Sequence, residues 1–482
     1  MKSLRNSLIL APALSITVGF VGISLVLITE YFDIKGAKIL RLGYMTTLIY
    51  GGIILVSGYK FIYGKTGILT TLFAKIIPSF PIDWFEGFWA VLFVMTFACT
   101  SNHMIFLRNA MRAVDFQTVE AAQNMGASQF RILTKVVLPV LTPSLLAVTI
   151  LTFSGNVSSR PLAALLALFL GVATILLLTV MIQIEKRGHY MSISKVKTTI
   201  IKQKIRNPIL NVLVHIYAYV LFLIYVIPVV LVVLFSFTDA ATIASKKLTL
   251  SSFTLDNYIS IFQKATSYKP FVVSICYSAI AALLVAVIVL VACRIIQKRK
   301  DRLGSALEYG LLIPWLLPTT LMALGLITTY NTPRFWMLNR VLTGTSVIML
   351  IGYMIIKIPF TLRMTKAAFF ALDDSLEDAS RNLGAKPLYT FLRVQLPIIL
   401  PTVLAIFALN FNGLLGDYDM SVFMYHPLNQ PLGVYIKSLT NSETNADNAA
   451  LTFVYAVLMM VISSIVMYLV YGRGNKVDKR EK

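Results

Sequence analysis

The stretch VEAAQNMGASQFRILTKVVLPVLTP, residues 119–143, occurs twice in this chain of 482 residues. Its second copy, EDASRNLGAKPLYTFLRVQLPIILP, covers residues 377–401, and a constant shift of 258 positions superposes Gly126 on Gly384. Both copies are short polar stretches between apolar runs, and we call them the first and second islands. An internal repeat of this kind predicts that the chain consists of two related halves.

The composition predicts an all-α membrane protein. Hydrophobic residues make up 57% of the chain and charged residues 13%, against about 25% charged in a typical soluble domain. Apolar runs of about 20 residues can cross a hydrocarbon layer of about 30 Å as helices, and a bilayer requires their backbone groups to be paired internally. Eleven spans are predicted, at about 7–29, 42–63, 84–107, 139–157, 161–183, 209–237, 270–293, 305–328, 343–360, 396–416 and 450–471.

Lysine and arginine predict the orientation of these spans. The net charge is +22, and most of the 43 basic residues fall on one side of the membrane if both islands face the cytoplasm. Cytoplasmic loops are enriched in such residues, so we interpret the charge as topological and expect no nucleic-acid partner. The prediction is a multi-pass protein of the bacterial cytoplasmic membrane, in contact with lipid, whose islands and C-terminus are cytoplasmic. We call the island side the inner side.

The halves are unequal in length. We assign residues 1–185 to a first repeat with five spans, 186–208 to a basic cytoplasmic linker, and 209–482 to a second repeat with six spans. Three predicted spans precede the first island and four of the second repeat precede the second, and the run that begins at Ser7 resembles the second span of the other half, near Ser274. The first repeat is therefore expected to lack the counterpart of the other's first helix.

Each island is predicted to form a short helix, a break and a second helix. Gly126 and Gly384 stand where a left-handed residue would end the first helix. Pro139 and Pro397 stand where the next membrane helix begins, in the turn that tolerates proline. Two such helices on one chain suit a two-fold symmetric cytoplasmic partner.

The islands resemble the coupling-loop motif of ABC importer permeases: EAA, three residues, Gly, nine residues, Ile or Val, any residue, Leu-Pro. The first island matches throughout, and the second has Asp378, Ala379 and Ser380 in place of EAA. The resemblance implies coupling loops at 108–138 and 361–395, with these residues contacting an ATPase: Glu120, Ala121, Ala122, Gly126, Leu138, Pro139, Asp378, Ala379, Ser380, Gly384, Leu396 and Pro397.

This resemblance implies a fused two-repeat permease that is not itself an enzyme. Two ATPase subunits on the inner side would bind ATP and Mg²⁺, so the chain needs no cofactor of its own. An extracytoplasmic binding protein would deliver the solute. The ferric-iron, thiamine, phosphonate and sugar-phosphate branch is favoured, because GDYDMSVFMYHPLNQPLGVYI, residues 416–436, resembles an outer loop of ferric-iron members.

Ferric iron is the leading substrate hypothesis, with thiamine, phosphonate, sugar phosphate and polyamine as alternatives. Two other classes stay open: an ion-coupled secondary transporter, which would need acidic residues in the membrane, and a scaffold that binds partners without transport. Of these two, only the scaffold hypothesis is motivated by the unequal lengths of the halves.

Polar residues within the predicted spans and in the outer loop at residues 416–436 supply further candidates. Lys357 is expected near the inner end of its span, where a long basic side chain can reach the interface. A set of carboxylate, phenol and imidazole groups suits ferric iron but equally suits an outer gate or binding-protein contact, and we predict no resident metal. The candidates are Ser154, Asn410 and Asn412 for the pore, and Asp417, Asp419, Tyr425 and His426 for the outer loop.

Overall fold

The computed structural model is helical and describes residues 2–48, 52–111, 114, 116–142, 145, 202–245, 248–299, 301–317, 319–370, 372, 375–441 and 446–477. Within these ranges the only extended pairings are isolated bridges. The α-helices that matter for the site are Lys2–Val26, Ala37–Tyr44, Gly52–Tyr63, Ile68–Ile76, Gly87–Met111, Phe116–Asn124, Gln129–Ile132, Pro208–Ser236, Ala265–Lys298, Arg302–Leu312, Thr319–Tyr330, Ser346–Phe370, Ser375–Asn382, Pro387–Thr390, Leu396–Leu415, Ser421–Met424, Leu432–Asn441 and Ala446–Val477.

Seven of the eleven predicted spans are present as helices long and apolar enough to cross a membrane. They are Pro12–Tyr31, Gly87–Ile105, Pro208–Ser236, Ala265–Lys298, Ser346–Phe369, Pro387–Leu415 and Asn448–Val470. The predicted spans at 139–157 and 161–183 lie outside the described residues, except for residues 139–142 and 145. The all-α membrane fold is therefore confirmed, and the number of spans in the described part is smaller than predicted.

Two predicted spans are not single straight helices. The run at 42–63 is divided between Ala37–Tyr44, a 3-10 turn at Met45–Leu48 and Gly52–Tyr63. The run at 305–328 consists of two helices that meet at 106° near residue 318. In the second case Pro314 and Pro318 interrupt the run, and proline removes a backbone donor and disfavours the preceding helical residue. Hydropathy alone does not record such a break.

The chain forms two compact units, which divide between Leu234 and Phe235. The first covers residues 1–48 and 54–234, and the second covers 49–53 and 235–482. The boundary between units thus differs from the boundary between sequence repeats at residue 209. Most of the Pro208–Ser236 helix, which begins the second repeat by sequence, packs within the first unit.

Specific contacts hold that helix in the first unit. The Tyr44 hydroxyl donates to the Ala218 carbonyl at 2.7 Å, and the Tyr59 hydroxyl donates to the Ile224 carbonyl at 3.2 Å. At Gly43 the backbone approaches so closely that an added Cβ would lie 2.2 Å from the Phe222 ring. Small residues are what permit such approach between membrane helices.

We therefore expect Gly43→Ala to destabilise the first unit. The aromatic ring of Phe222 would have to move, and overpacking of this kind typically costs about 1–3 kcal/mol. The measurement is the melting temperature and the monodisperse yield of the solubilised full-length chain. Gly325→Ala is the matched control, because a Cβ there meets nothing within 4 Å. Equal melting temperatures for the two variants would contradict the packing described here.

The second unit is built around the helices Ala265–Lys298, Ser346–Phe370 and Leu396–Leu415. Val285, Val289, Leu362 and Ile399 form a buried apolar cluster in this unit. The helix Leu396–Leu415 ends at Leu415, and the chain after it lies beside the first turns of Ser346–Phe370. There a Cβ on Gly352 would meet the sulfur of Met424 at 2.9 Å. The outer loop of this unit is therefore packed against a membrane span and does not project away from it.

Candidate functional site

Each island forms a helix, a bend and a second helix, as the sequence predicted. We call Phe116–Asn124 and Ser375–Asn382 the island helices. In the first, the Ala127 N–H donates to the Ala122 carbonyl at 3.0 Å, and the Gly126 N–H donates to the Gln123 carbonyl at 2.9 Å. The second has the same pair of bonds with the same lengths, from Ala385 to Ser380 and from Gly384 to Arg381. This is the Schellman arrangement, which satisfies the last carbonyls of a helix.

The bend depends on the backbone conformation of one glycine in each island. Gly126 has φ of +78° and Gly384 has φ of +81°, in the left-handed region that costs an L residue about 1–2 kcal/mol. An added Cβ would meet nothing within 4 Å at either position. The requirement for glycine is therefore conformational and does not come from crowding.

A widened turn follows each bend at equivalent positions. Leu133–Val137 and Phe391–Gln395 are π-helical, and they directly precede Leu138-Pro139 and Leu396-Pro397. Proline has no N–H to donate to the carbonyl four residues earlier, so the helix widens by one residue before it. π-turns of this kind are frequent at functional sites, and the sequence did not predict them.

The two islands present the same residues to the surface. The first two positions of the EAA motif, Glu120-Ala121 and Asp378-Ala379, are exposed, and so are both glycines. The third position is buried in both units, as Ala122 and Ser380. Burial at the third position explains the small residue there, and exposure of the other two leaves them accessible to a partner.

Exposed apolar side chains, which were not among the residues predicted from the sequence, flank both bends. Met125 is 81% exposed and Leu383, its counterpart, is 88% exposed. Phe130 and Leu388 form a second equivalent pair, also largely exposed. We call these four residues the apolar knobs. Their signal in the sequence is apolar identity at matched positions within two otherwise polar stretches.

Glu377 anchors the second island to its unit. Its carboxylate contacts Arg294 at 3.2 Å and also Lys298, both on the inner end of the Ala265–Lys298 helix. It accepts a hydrogen bond of 3.1 Å from Gln395 in the π-turn. Burial alone would raise the pKa of Glu377, but the hydrogen bonds and positive charges of Lys298 and Arg294 outweigh it and lower the pKa to about 2. One ionised carboxylate thus ties the island helix to both neighbours.

The first island is anchored differently, by residues 202–206, which we call the strap. Gln203 pairs with the backbone beside Phe32, donating from its N–H to the Tyr31 carbonyl at 2.8 Å. Its side chain accepts from Gln123 of the island helix at 2.6 Å. The Gln129 amide donates to the Lys204 carbonyl, also at 2.6 Å. The strap is the end of the predicted linker, so this part of the linker is tied to the first island.

A second ionic group lies near the strap. Glu30 contacts Arg41 at 3.4 Å and Arg108 at 3.0 Å.

In the first island the position equivalent to Glu377 is Val119, which is fully buried. The first island is thus held by apolar burial and the strap, whereas the second is held by charge.

The predicted pore and outer-loop residues have different outcomes. Ser154 lies outside the described residues. Asn410 is buried, and its amide nitrogen donates to the Thr361 hydroxyl at 2.7 Å. Asp417 accepts from the N–H groups of Met420 and Ser421, so it caps the short helix that follows.

The candidate metal ligands of the outer loop are not assembled. In the ranges the structure covers, His, Cys, Asp and Glu side chains form no group of three that could hold a metal ion. The ring Nδ1 of His426 accepts from the Leu428 N–H at 3.1 Å, which is a local turn contact. The role expected for Asp417, Asp419, Tyr425 and His426, at an outer gate or a binding-protein contact, stays a prediction.

The sequence predicted Lys357 near the inner end of its span, and the structure places it elsewhere. The helix continues to Phe370, so Lys357 lies in its middle. Lys366 is the basic residue nearer the inner end, and it contacts Glu308. The predicted end of the span at residue 360 was wrong because Pro359 and the polar residues after it do not stop the helix.

Comparison with known proteins places these features in a family. The sequence profile of the family described as binding-protein-dependent transport system inner membrane component matches residues 204–476. A probable ABC transporter permease protein, y4fN, of Sinorhizobium fredii is 37% identical over 492 residues, which covers 96% of this chain and 86% of that protein.

More distant relatives bear different substrate names. A putative 2-aminoethylphosphonate transport system permease, PhnV, of Salmonella paratyphi A is 26% identical, covering 49% of this chain and 90% of that protein. The ferric transport system permease FbpB of Actinobacillus pleuropneumoniae is 21% identical, covering 97% and 70%. The crystal structure of a bacterial ABC transporter that imports alginate contains a chain with 16% identity and a TM-score of 0.44, covering 55% of this chain and 95% of that one.

Proposed function

The chain belongs to the family of binding-protein-dependent transport system inner membrane components, the permease components of ABC importers, and from this premise we propose how it is driven. Two ATPase subunits dock on the two islands from the cytoplasm. An extracytoplasmic binding protein delivers the solute to the opposite side. ATP binding and hydrolysis change the position of the islands, and the membrane helices alternate between outward- and inward-open states.

The observation that carries this proposal is the matched surface of the two islands. Each presents an exposed acid, an exposed alanine, a left-handed glycine and the apolar knobs at positions related by the repeat. Single exposed apolar side chains are common, but several of them grouped in a polar segment are typical of a surface that a partner covers. Two equivalent surfaces require two equivalent partners, as a dimeric ATPase provides.

Introducing charge at the knobs is expected to weaken ATPase binding. Met125→Asp and Leu383→Asp each place a charge where an apolar pocket would have to desolvate it, a cost of several kcal/mol when unpaired. We expect at least about a tenfold weaker association, measured by binding of the purified ATPase to the chain in nanodiscs. Leu250→Asp is the control, because Leu250 is equally exposed but lies in a predicted outer segment. Wild-type binding by both island variants would contradict docking at the knobs.

The whole function is tested by reconstitution. The chain, its ATPase and its binding protein are placed in proteoliposomes, and solute uptake is measured with ATP supplied inside. Uptake that depends on ATP and on the binding protein supports the importer. Uptake that persists without ATP indicates an ion-coupled transporter, and partner binding without uptake indicates a scaffold.

For the solute, the outer-loop resemblance favours ferric iron, and the similarity to the permease named for 2-aminoethylphosphonate favours a phosphonate. Both are to be tried in the uptake assay, with thiamine, sugar phosphate and polyamine as further solutes. The reading frames beside the gene would narrow the choice through the ligand residues of the binding protein.

A further inference from the structure

The membrane part of the second unit contains a lysine, Lys357, whose position hydrophobic packing does not explain. Lys357 lies in the middle of Ser346–Phe370, and its ammonium group lies over Gly413 of Leu396–Leu415, 2.7 Å from where a Cβ would be. A basic residue in a span costs about 2.5–3.5 kcal/mol on insertion scales and usually faces a cavity or a binding site. The glycine at 413 is what allows the side chain to lie there.

Lys357 has no direct counter-ion. Among the described residues, no carboxylate lies within ion-pair distance of its ammonium group, and no side chain accepts a hydrogen bond from it. Asp417 acts on it electrostatically without a direct contact. The Asp417 carboxylate is already engaged by two backbone N–H groups of the following turn.

Two asparagines within one helical turn of Gly413 have unused hydrogen-bonding groups. Asn410 is 1% exposed, and its carbonyl oxygen has no partner although its amide nitrogen binds Thr361. Asn412, next to Gly413, has neither its oxygen nor its nitrogen paired. Buried polar groups are nearly always paired, and an unpaired one costs about 1–3 kcal/mol. Unpaired groups on Asn410 and Asn412, in the same turn as the glycine that Lys357 lies against, indicate a site that a ligand completes.

We propose that Lys357, Asn410 and Asn412 form a contact site for the transported solute, and that this solute carries an anionic oxygen group such as a phosphonate, phosphate or sulfate. This inference rests on the proposed importer function and narrows its substrate class. Ammonium and amide N–H groups are the donors that an oxyanion needs, whereas an uncomplexed metal cation would be repelled by Lys357. Gly413 is exposed and Lys357 is half-buried.

The test measures charge selectivity at the site without ATP or partners, so it is independent of the importer assay. Cys99, Cys276 and Cys293 are replaced by serine, and Asn412→Cys is introduced into the full chain in nanodiscs. Its reaction rate is compared for an anionic sulfonate-bearing methanethiosulfonate and its cationic trimethylammonium analogue. We expect the anionic reagent to react about tenfold faster relative to the cationic one than it does with a free thiol. Added Lys357→Met should remove this preference, and Lys357→Arg should keep it.

Protection supplies the second measurement. Millimolar methylphosphonate or sulfate, tested separately, should slow labelling of Asn412→Cys, and chloride at equal ionic strength should not. Val287→Cys, on the exposed apolar face of Ala265–Lys298, is the control and should stay unlabelled. Absence of labelling at Asn412→Cys, or an anionic preference that survives Lys357→Met, would overturn the site. If the chain drives ATP-dependent uptake but the cysteine of Asn412→Cys does not react with either reagent, the importer function stands and only the proposed solute site is wrong.

Discussion

Replacing Gly126 or Gly384 with valine is expected to abolish ATP-driven uptake, while the chain still inserts into the membrane. Both glycines have positive φ and end an island helix. A non-glycine residue in this region costs about 1–2 kcal/mol, and a β-branched one more, because Val is stiff at χ1. One or two kcal/mol changes a population ratio by about 5–30-fold. The bend would therefore open, and the exposed acid and the apolar knob would no longer be held in one arrangement.

The structure allows this effect to be separated from loss of a partner contact. Asparagine tolerates the left-handed region far better than valine, and a Cβ at either glycine has free space. Gly384→Asn should therefore retain most of the uptake that Gly384→Val loses. The measurements are uptake in proteoliposomes and insertion by protease protection. If Asn and Val are equally inactive, the side chain obstructs the partner and the conformational explanation is wrong. Wild-type uptake by both valine variants would contradict any coupling role for the bend.

The structure of the islands was predictable because two different sequences, related by the repeat, carry the same glycine and proline pattern. Glycine and proline act through the backbone of their own residue, so the bends at Gly126 and Gly384 followed from local rules. The α-helix at Leu396 also begins where proline is tolerated, but it continues a helical span that starts at Pro387. The seven unbroken spans followed from hydropathy, since a bilayer imposes that pattern over about 20 residues.

What the sequence could not predict depends on neighbours distant in the chain. The break near residue 318 reflects prolines in a run that is still apolar, and hydropathy averages over them. The place of Pro208–Ser236 in the first unit depends on Gly43 and Tyr44, which contact it across more than 160 positions. Lys357 lies in the middle of its helix because the helix continues past Pro359 to Phe370.

The roles of the two acids at the start of the second island were also not predictable from the motif. Alignment places Asp378 at the motif's glutamate, and Glu377 stands one residue before it. In the structure the side chain of Glu377 is 16% exposed and ion-paired, whereas that of Asp378 is 70% exposed. The helix rotates one acid toward the unit and the other toward solvent, because successive helical residues point about 100° apart. The two acids therefore serve different contacts, and substitution separates them.

Glu377→Ala is expected to uncouple the second island from its unit. It removes an acceptor shared by Arg294, Lys298 and Gln395, and hydrogen bonds to charged groups contribute about 1.5–3 kcal/mol. We expect a lower melting temperature of the solubilised chain and at least about a tenfold loss of uptake. Asp378→Ala should keep the wild-type melting temperature, because among the described residues its carboxylate pairs with Arg381 alone, at 3.9 Å. Any loss of uptake in this variant should come with weaker ATPase binding.

The pH dependence gives a further check on this anchor. The folded pKa of Glu377 is lowered from 4.5 to about 2, so its contribution to stability is fully present above pH 4.5 and is lost only as the pH falls toward 2. Between pH 5 and 8 the carboxylate stays ionised, and the difference in melting temperature between wild type and Glu377→Ala should be constant. Glu377→Gln, which accepts hydrogen bonds without the charge, should fall between them. A melting temperature lowered by Asp378→Ala and not by Glu377→Ala would reverse the assignment and place the anchor on the acid that the motif names.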